Sequence, residues 1–167
     1  MIFSQWQHAM LARPAKNGQK HIDLSHEQLM MTTDFQFSYV DNWLIAPGAF
    51  WAHVPVVGKP GTFEPPAPTE VLHKGYALLQ VEFQSATLVV SSAAQLEHYI
   101  DILARKLLPT TRQLSVQRTS DAGPNGHWLS RLPSNLKTPR TRSELARTLR
   151  AARDFASSSA PGGWFPR

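Results

Sequence analysis

Residues 75–108 read GYALLQVEFQSATLVVSSAAQLEHYIDILARKLL, and this stretch decides the fold. Between Gly75 and Phe83 the apolar residues Leu79, Val81 and Phe83 recur at every second position, the period of a pleated strand with one buried face. Leu78 is apolar on the opposite face, where Gln80 and Glu82 are polar. Gln84-Ser85 is a short connection, and Ala86–Val90 supplies the returning strand. The period then changes. After Ser92, a favourable helix cap, the residues Leu96, Tyr99, Ile100, Leu103 and Leu107 follow i, i+3, i+4 spacing until Pro109. Glu97, Asp101, Arg105 and Lys106 form the wet side, and Asp101 with Arg105 has favourable i, i+4 spacing. A hairpin followed by an amphipathic helix of about 93–108 buries both apolar faces when the helix lies on the sheet.

Upstream, Phe35, Phe37 and Tyr39 also alternate with polar residues. Asp41-Asn42 reads as a turn into Trp43-Leu-Ile45, Pro47-Gly48 interrupts, and Ala49–Val57 resumes around Phe50, Trp51 and Val54, so a β-meander is expected. Residues 55–69 hold five prolines and two glycines, which cannot supply ladder donors and read as a stiff loop; a recognition strip exposing Phe63 is the alternative. Further toward the N-terminus the spacing predicts a short helix over Ser4–Arg13, a turn at Asn17-Gly18 and a capping box at Ser25–Gln28 that opens a brief helix through Met31.

Downstream, Thr110–Arg118 reads as a short helix around Leu114, and Thr119–Gly126 as a loop. Thr141-Arg-Ser-Glu144 has the pattern of a capping box opening a basic C-terminal helix of about 141–156. On it Leu145, Leu149, Ala152, Phe155 and Ala156 share one side, and Arg140, Arg147, Arg150 and Arg153 the other. The expected fold is therefore α+β: an N-terminal antiparallel β-sheet of about four to six strands packed by the helix at 93–108. It forms a single domain over 1–156, followed by a flexible tail over 157–167 that carries Trp164-Phe165 and docks on the body or on a partner.

The 167 residues suffice for one domain, and 42% hydrophobic content sets the chain apart from disordered sequences. There is no cysteine, which excludes disulfides and thiolate chemistry and fits a reducing cytoplasm, the location expected. The first ten residues lack the basic and apolar regions of a secretory signal, and no run reaches the ~18 apolar residues of a membrane helix, so no membrane association is expected.

Charge is divided unevenly. Residues 1–100 carry five Lys and Arg against eight Asp and Glu, whereas residues 101–167 carry twelve against four, and ten of those twelve are arginine. The arginine fork grips phosphate or carboxylate with paired bonds. The expected contact set is Arg131, Lys137, Arg140, Arg142, Arg147, Arg150 and Arg153, with Trp128 as a stacking surface. The plainer alternative is that these arginines solubilise helices while their stems cover apolar surface.

Catalytic patterns are sparse. None of the seven histidines pairs at i, i+4, His26-Glu27 lacks the second histidine of a zinc-protease motif because position 30 is Met, and neither a metal nor a cofactor is expected. Gly58-Lys-Pro-Gly61 and Gly123-Pro-Asn-Gly126 lack phosphate-loop spacing, and no Gly-x-Ser-x-Gly elbow exists. His127, beside Trp128 and Arg131, would serve proton transfer only if Asp121 or His98 came close; the structural alternative is that Trp128, Leu129 and Leu132 anchor the loop. The function expected from these features is a non-enzymatic binding protein that takes DNA or RNA. Its alternatives are a protein-interaction module, such as an accessory subunit, inhibitor or immunity-type protein, meeting an acidic partner, or a small phosphodiester-cleaving enzyme built on His127.

Overall fold

The computed structural model describes residues 35–116, 126–162 and 164–165. The readings made above for Ser4–Arg13, Asn17-Gly18 and Ser25–Met31, and for Asp121, lie outside the described residues, as does most of the Thr119–Gly126 loop.

The strand pair and its helix form as their periods dictate. Strand β4 spans Tyr76–Phe83 and β5 spans Ala86–Val90, antiparallel with Val81 opposite Leu88; α2 spans Ala93–Ala104. Strand β1, Phe35–Val40, joins the other edge of β4 with Phe37 opposite Leu79, giving the order β1-β4-β5. Ala77, Leu79, Val81 and Phe83 of β4 all point into one core with Leu96, Tyr99, Ile100 and Leu103 of α2. Helix α2 ends earlier than its pattern suggests. Arg105 turns extended, and Leu107 is 82% exposed rather than part of the buried stripe.

The basic helix is longer than expected. Helix α5 spans Pro139–Ser159 and packs against α2 and across β4, contributing Leu145, Leu149, Ala152 and Ala156 to the same core. Its cap is not Thr141 but Thr138, which makes no side-chain capping bond; Pro139 occupies the first helical turn, where its fixed φ suits the helix and its missing N–H costs nothing. The expected boundary at residue 156 thus falls inside a helix, and Trp164 beyond it is 2% exposed.

The α+β class holds, with an antiparallel sheet of three strands rather than four to six. Over 41–57 the expected meander is replaced by two short helical segments and turns. Asn42 caps a 3-10 turn at Trp43–Ile45 by accepting from the Leu44 N–H, and α1 spans Ala49–Ala52, with only Val54-Pro55 left as strand β2. The reason lies on the other face of the sheet. Leu78, apolar among polar neighbours, packs there with Trp43, Ala46 and Ala49 in a second small core, and the 3-10 turn, its cap residue and the start of α1 bring those three to it. Within the proline-rich segment, Phe63-Glu64 pairs with β2 as strand β3, and Phe63 packs edge-on against Trp43 with centroids 5.4 Å apart. Phe63 is half-buried, so this segment clasps the second core instead of presenting that ring.

Two more short helices, α3 at Thr111–Val116, as its sequence suggests, and α4 at Trp128–Arg131, and a 3-10 turn at Ser134–Lys137 complete the described chain.

Candidate functional site

The eight residues expected to make contacts fall into three groups. Arg140, Arg147 and Arg150 lie on the solvent side of α5, within about 80° of arc at 3.6 residues per turn. All three are exposed. Arg140 donates to Glu144 at 3.3 Å, while Arg147 and Arg150 take part in no ion pair among the described residues. Arg131, at the end of α4, is exposed and forms no ion pair among the described residues.

The second group is tied down. Arg153 reaches Glu97 of α2 and its neighbour Asp154, each at 3.5 Å, and the Lys137 ammonium donates to the Ser130 carbonyl at 3.3 Å. The two exposed pairs of Arg153 add roughly 0–1 kcal/mol each, yet they lower the positive potential of the surface. Asp154 also falls within the arc of the three outward arginines.

The third group is inside. Arg142 is 7% exposed; its Nη2 donates to the Lys106 carbonyl at 3.1 Å, while its Nε has no partner among the described residues. Trp128 is 1% exposed, its ring lies 4.3 Å from Tyr99, and its indole N–H donates to His98 Nε2 at 3.0 Å. It therefore has no face to offer a base. Sequence reasoning grouped it with the arginines because it is near them in the chain, whereas the aromatic-helix core claims it.

His127 is also buried. Its Nδ1 accepts from the Leu129 N–H at 3.2 Å, capping α4, and its ring packs 4.7 Å from Trp51. Folding does bring His98 near, with ring centroids 5.6 Å apart. The pair sits in an aromatic cluster with Trp128 rather than on an open surface, the anchoring arrangement its neighbours suggest.

A second histidine, His53, occupies a different kind of site that sequence reading missed. It follows α1 and is fully buried. Its Nδ1 lies 3.0 Å from the Pro65 carbonyl and its Nε2 lies 2.7 Å from the Ser92 hydroxyl. A carbonyl only accepts, so Nδ1 carries the proton. Ser92 Oγ meanwhile accepts from the Gln95 N–H at 3.0 Å as the cap of α2, leaving its own O–H to donate to Nε2.

Gln95 fixes this corner. Its carbonyl oxygen accepts from both the N–H and the hydroxyl of Ser91 at 2.7 Å, and its amide donates to the Tyr99 hydroxyl at 3.1 Å. Burial pushes the Tyr99 hydroxyl well above the usual tyrosine range, against smaller opposite effects of its bonds to Gln95 and the Gly48 backbone. The Tyr99 ring occupies the space a side chain at Gly48 would need, which lets α1 and α2 approach closely.

Ser92 and His53 line a cleft of ≈ 630 Å³ between residues 65–72 and the C-terminal Trp164-Phe165. Its walls are largely apolar: Pro66, Ala67, Val71, Leu72 and the two aromatic residues, with Glu70 the one acidic residue. Among the described residues, no cluster of three His, Asp or Glu side chains is arranged to hold a metal ion, and no helix is long and apolar enough to cross a membrane.

No protein-family model matches this chain, and neither a curated protein nor a solved structure matches it.

Proposed function

We propose that this chain is a binding protein for polyanions, nucleic acid first, acting through the solvent side of α5. The observation that supports this reading is the pair Arg147 and Arg150. They are exposed, one turn apart and outside any ion pair among the described residues, with Arg140 two turns back on the same side. Guanidinium groups held on a rigid helix keep their bidentate geometry for phosphate oxygens. Arg153 and Arg142 are engaged within the protein and drop out of the contact set, and Trp128 supplies no stacking. The surface is thus a small footprint of two to three phosphate contacts, which suits non-specific contact with a backbone rather than readout of bases.

Fluorescence anisotropy with a labelled oligonucleotide across a salt series tests this. About three neutralised phosphates give a log–log slope near −2 to −3, and reversing both charges in Arg147→Glu/Arg150→Glu reduces its magnitude by about 2. An unchanged affinity and slope in that double variant overturns the proposal. A complex that instead survives nuclease at fixed stoichiometry assigns the same face to an acidic protein.

A further inference from the structure

We infer that Ser92 and His53 form a nucleophile–base pair for acyl transfer, with the cleft beside them taking an uncharged ester that carries a short apolar acyl group. This site is independent of the arginine face, and either reading stands if the other fails.

Three features carry the inference. The first is polarity: Nδ1–H donates to the Pro65 carbonyl, so Nε2 presents its lone pair to the serine hydroxyl at 2.7 Å, the arrangement in which a histidine activates a serine. The Pro65 carbonyl holds the position that an orienting carboxylate takes in a three-residue array, but as a neutral acceptor it stabilises the imidazolium less. A slow enzyme is expected for that reason. The second is placement: Ser92 stands between β5 and α2 at the start of a twelve-residue helix, whose first-turn amides have no intrahelical acceptor and whose dipole favours negative charge. The Ala93 N–H, next to the nucleophile, donates to the Trp164 carbonyl only at 3.5 Å, so an incoming oxyanion competes readily for it. Ala94, the next residue, lines the cleft. The third is access: the pair lines a ≈ 630 Å³ cleft whose apolar walls suit an acyl chain and exclude a polyanion.

The step balances without a cofactor. Ser92 Oγ bonds to the ester carbonyl carbon while its proton passes to His53 Nε2. The bond to the alkoxide then breaks, and the alkoxide leaves with that proton. Water attacks the acyl-serine, gives a proton to Nε2, and the hydroxyl is restored as the acid departs. The sequence lacks the Gly-x-Ser-x-Gly signature because Ser92 lies in ordinary extended backbone, φ −160° and ψ 163°, and needs no strained elbow.

The experiment is covalent labelling with a fluorophosphonate bearing a short alkyl chain, followed by peptide mapping. On the wild-type protein a single adduct is expected, with the Oγ–phosphorus bond at Ser92 replacing fluoride. Absence of an adduct, or an adduct on another residue, overturns the inference whatever the variants do. Ser92→Gly retains most of the cap's stability and should abolish labelling. His53→Gln keeps a polar side chain of similar size but cannot take a proton, and should slow labelling at least about 100-fold while thermal melting shows the fold intact. Labelling of a folded His53→Gln protein at the wild-type rate overturns the role of the histidine. Hydrolysis of p-nitrophenyl butyrate should follow the same order among the three proteins.

Discussion

Trp164 meets Phe37 edge to face, ring centroids 5.5 Å apart and planes at 83°, and so ties the end of the described chain to its first strand. Phe155 of α5 stacks on Phe37 at 6.0 Å. The C-terminal aromatic is therefore a core residue, and it also forms part of the cleft wall beside Ser92. Trp164→Ala should lower unfolding stability by about 3–5 kcal/mol in urea titration, the cost of removing a buried indole. A loss under about 1 kcal/mol would mean that the segment does not hold the sheet.

Gly48 is packed against the Tyr99 ring, leaving no room for a methyl group. Gly48→Ala forces α1 away from α2 and should cost about 1–3 kcal/mol. Gly162 has open space around its Cα and no left-handed backbone requirement, so Gly162→Ala should stay within about 0.5 kcal/mol of wild type. Paired thermal melts check both, and equal behaviour of the two variants would contradict the helix contact.

What the sequence discloses follows from how local each signal is. The β4–β5–α2 unit is legible because its two periods sit side by side and its cap is adjacent. The 43–52 segment is not, because it coils into a 3-10 turn and a short helix whose Trp43 and Ala49, with Ala46 between them, reach Leu78, a partner in another strand. That apolar residue on the polar side of β4 is a local sign of a second core, but it does not say what covers it. The outward arginines of α5 follow from helical period, but Arg142 is captured by a carbonyl at Lys106, 36 residues away. The Ser92–His53 pair spans 39 residues and shows no spacing motif.

Arg142 is the costly cation of the structure: 7% exposed, with an unpartnered Nε and no ion pair among the described residues. Replacing a buried charge with an apolar chain of similar length is commonly neutral or stabilising. Arg142→Met should therefore fold at least as stably as wild type within about 1 kcal/mol, and exceed Arg142→Ala by about 2 kcal/mol, since alanine leaves the space of the stem empty. Its oligonucleotide affinity should match wild type, in contrast to Arg147→Glu/Arg150→Glu. A drop in affinity for a well-folded Arg142→Met would place this residue in the contact surface after all.

Tyr99 sets an alkaline limit on stability. Its hydroxyl titrates near 10.0 when unperturbed and well above that when folded, with burial the largest cause. The folded state thus holds a proton that the unfolded chain releases, and above about pH 10 the unfolded state binds fewer protons. Stability consequently falls as pH rises through that region, by up to about 1.4 kcal/mol per pH unit for this one proton, and is fully present below it. Tyr99→Phe cannot ionise, so its stability should lack this component. At pH 7 the variant should lose about 1 kcal/mol, because the Gln95 amide surrenders its 3.1 Å bond and keeps only a 3.4 Å contact to the Val89 carbonyl. Denaturant titrations of both proteins from pH 8 to 11 should converge and then cross, and parallel curves would show that the hydroxyl reaches water in the folded state.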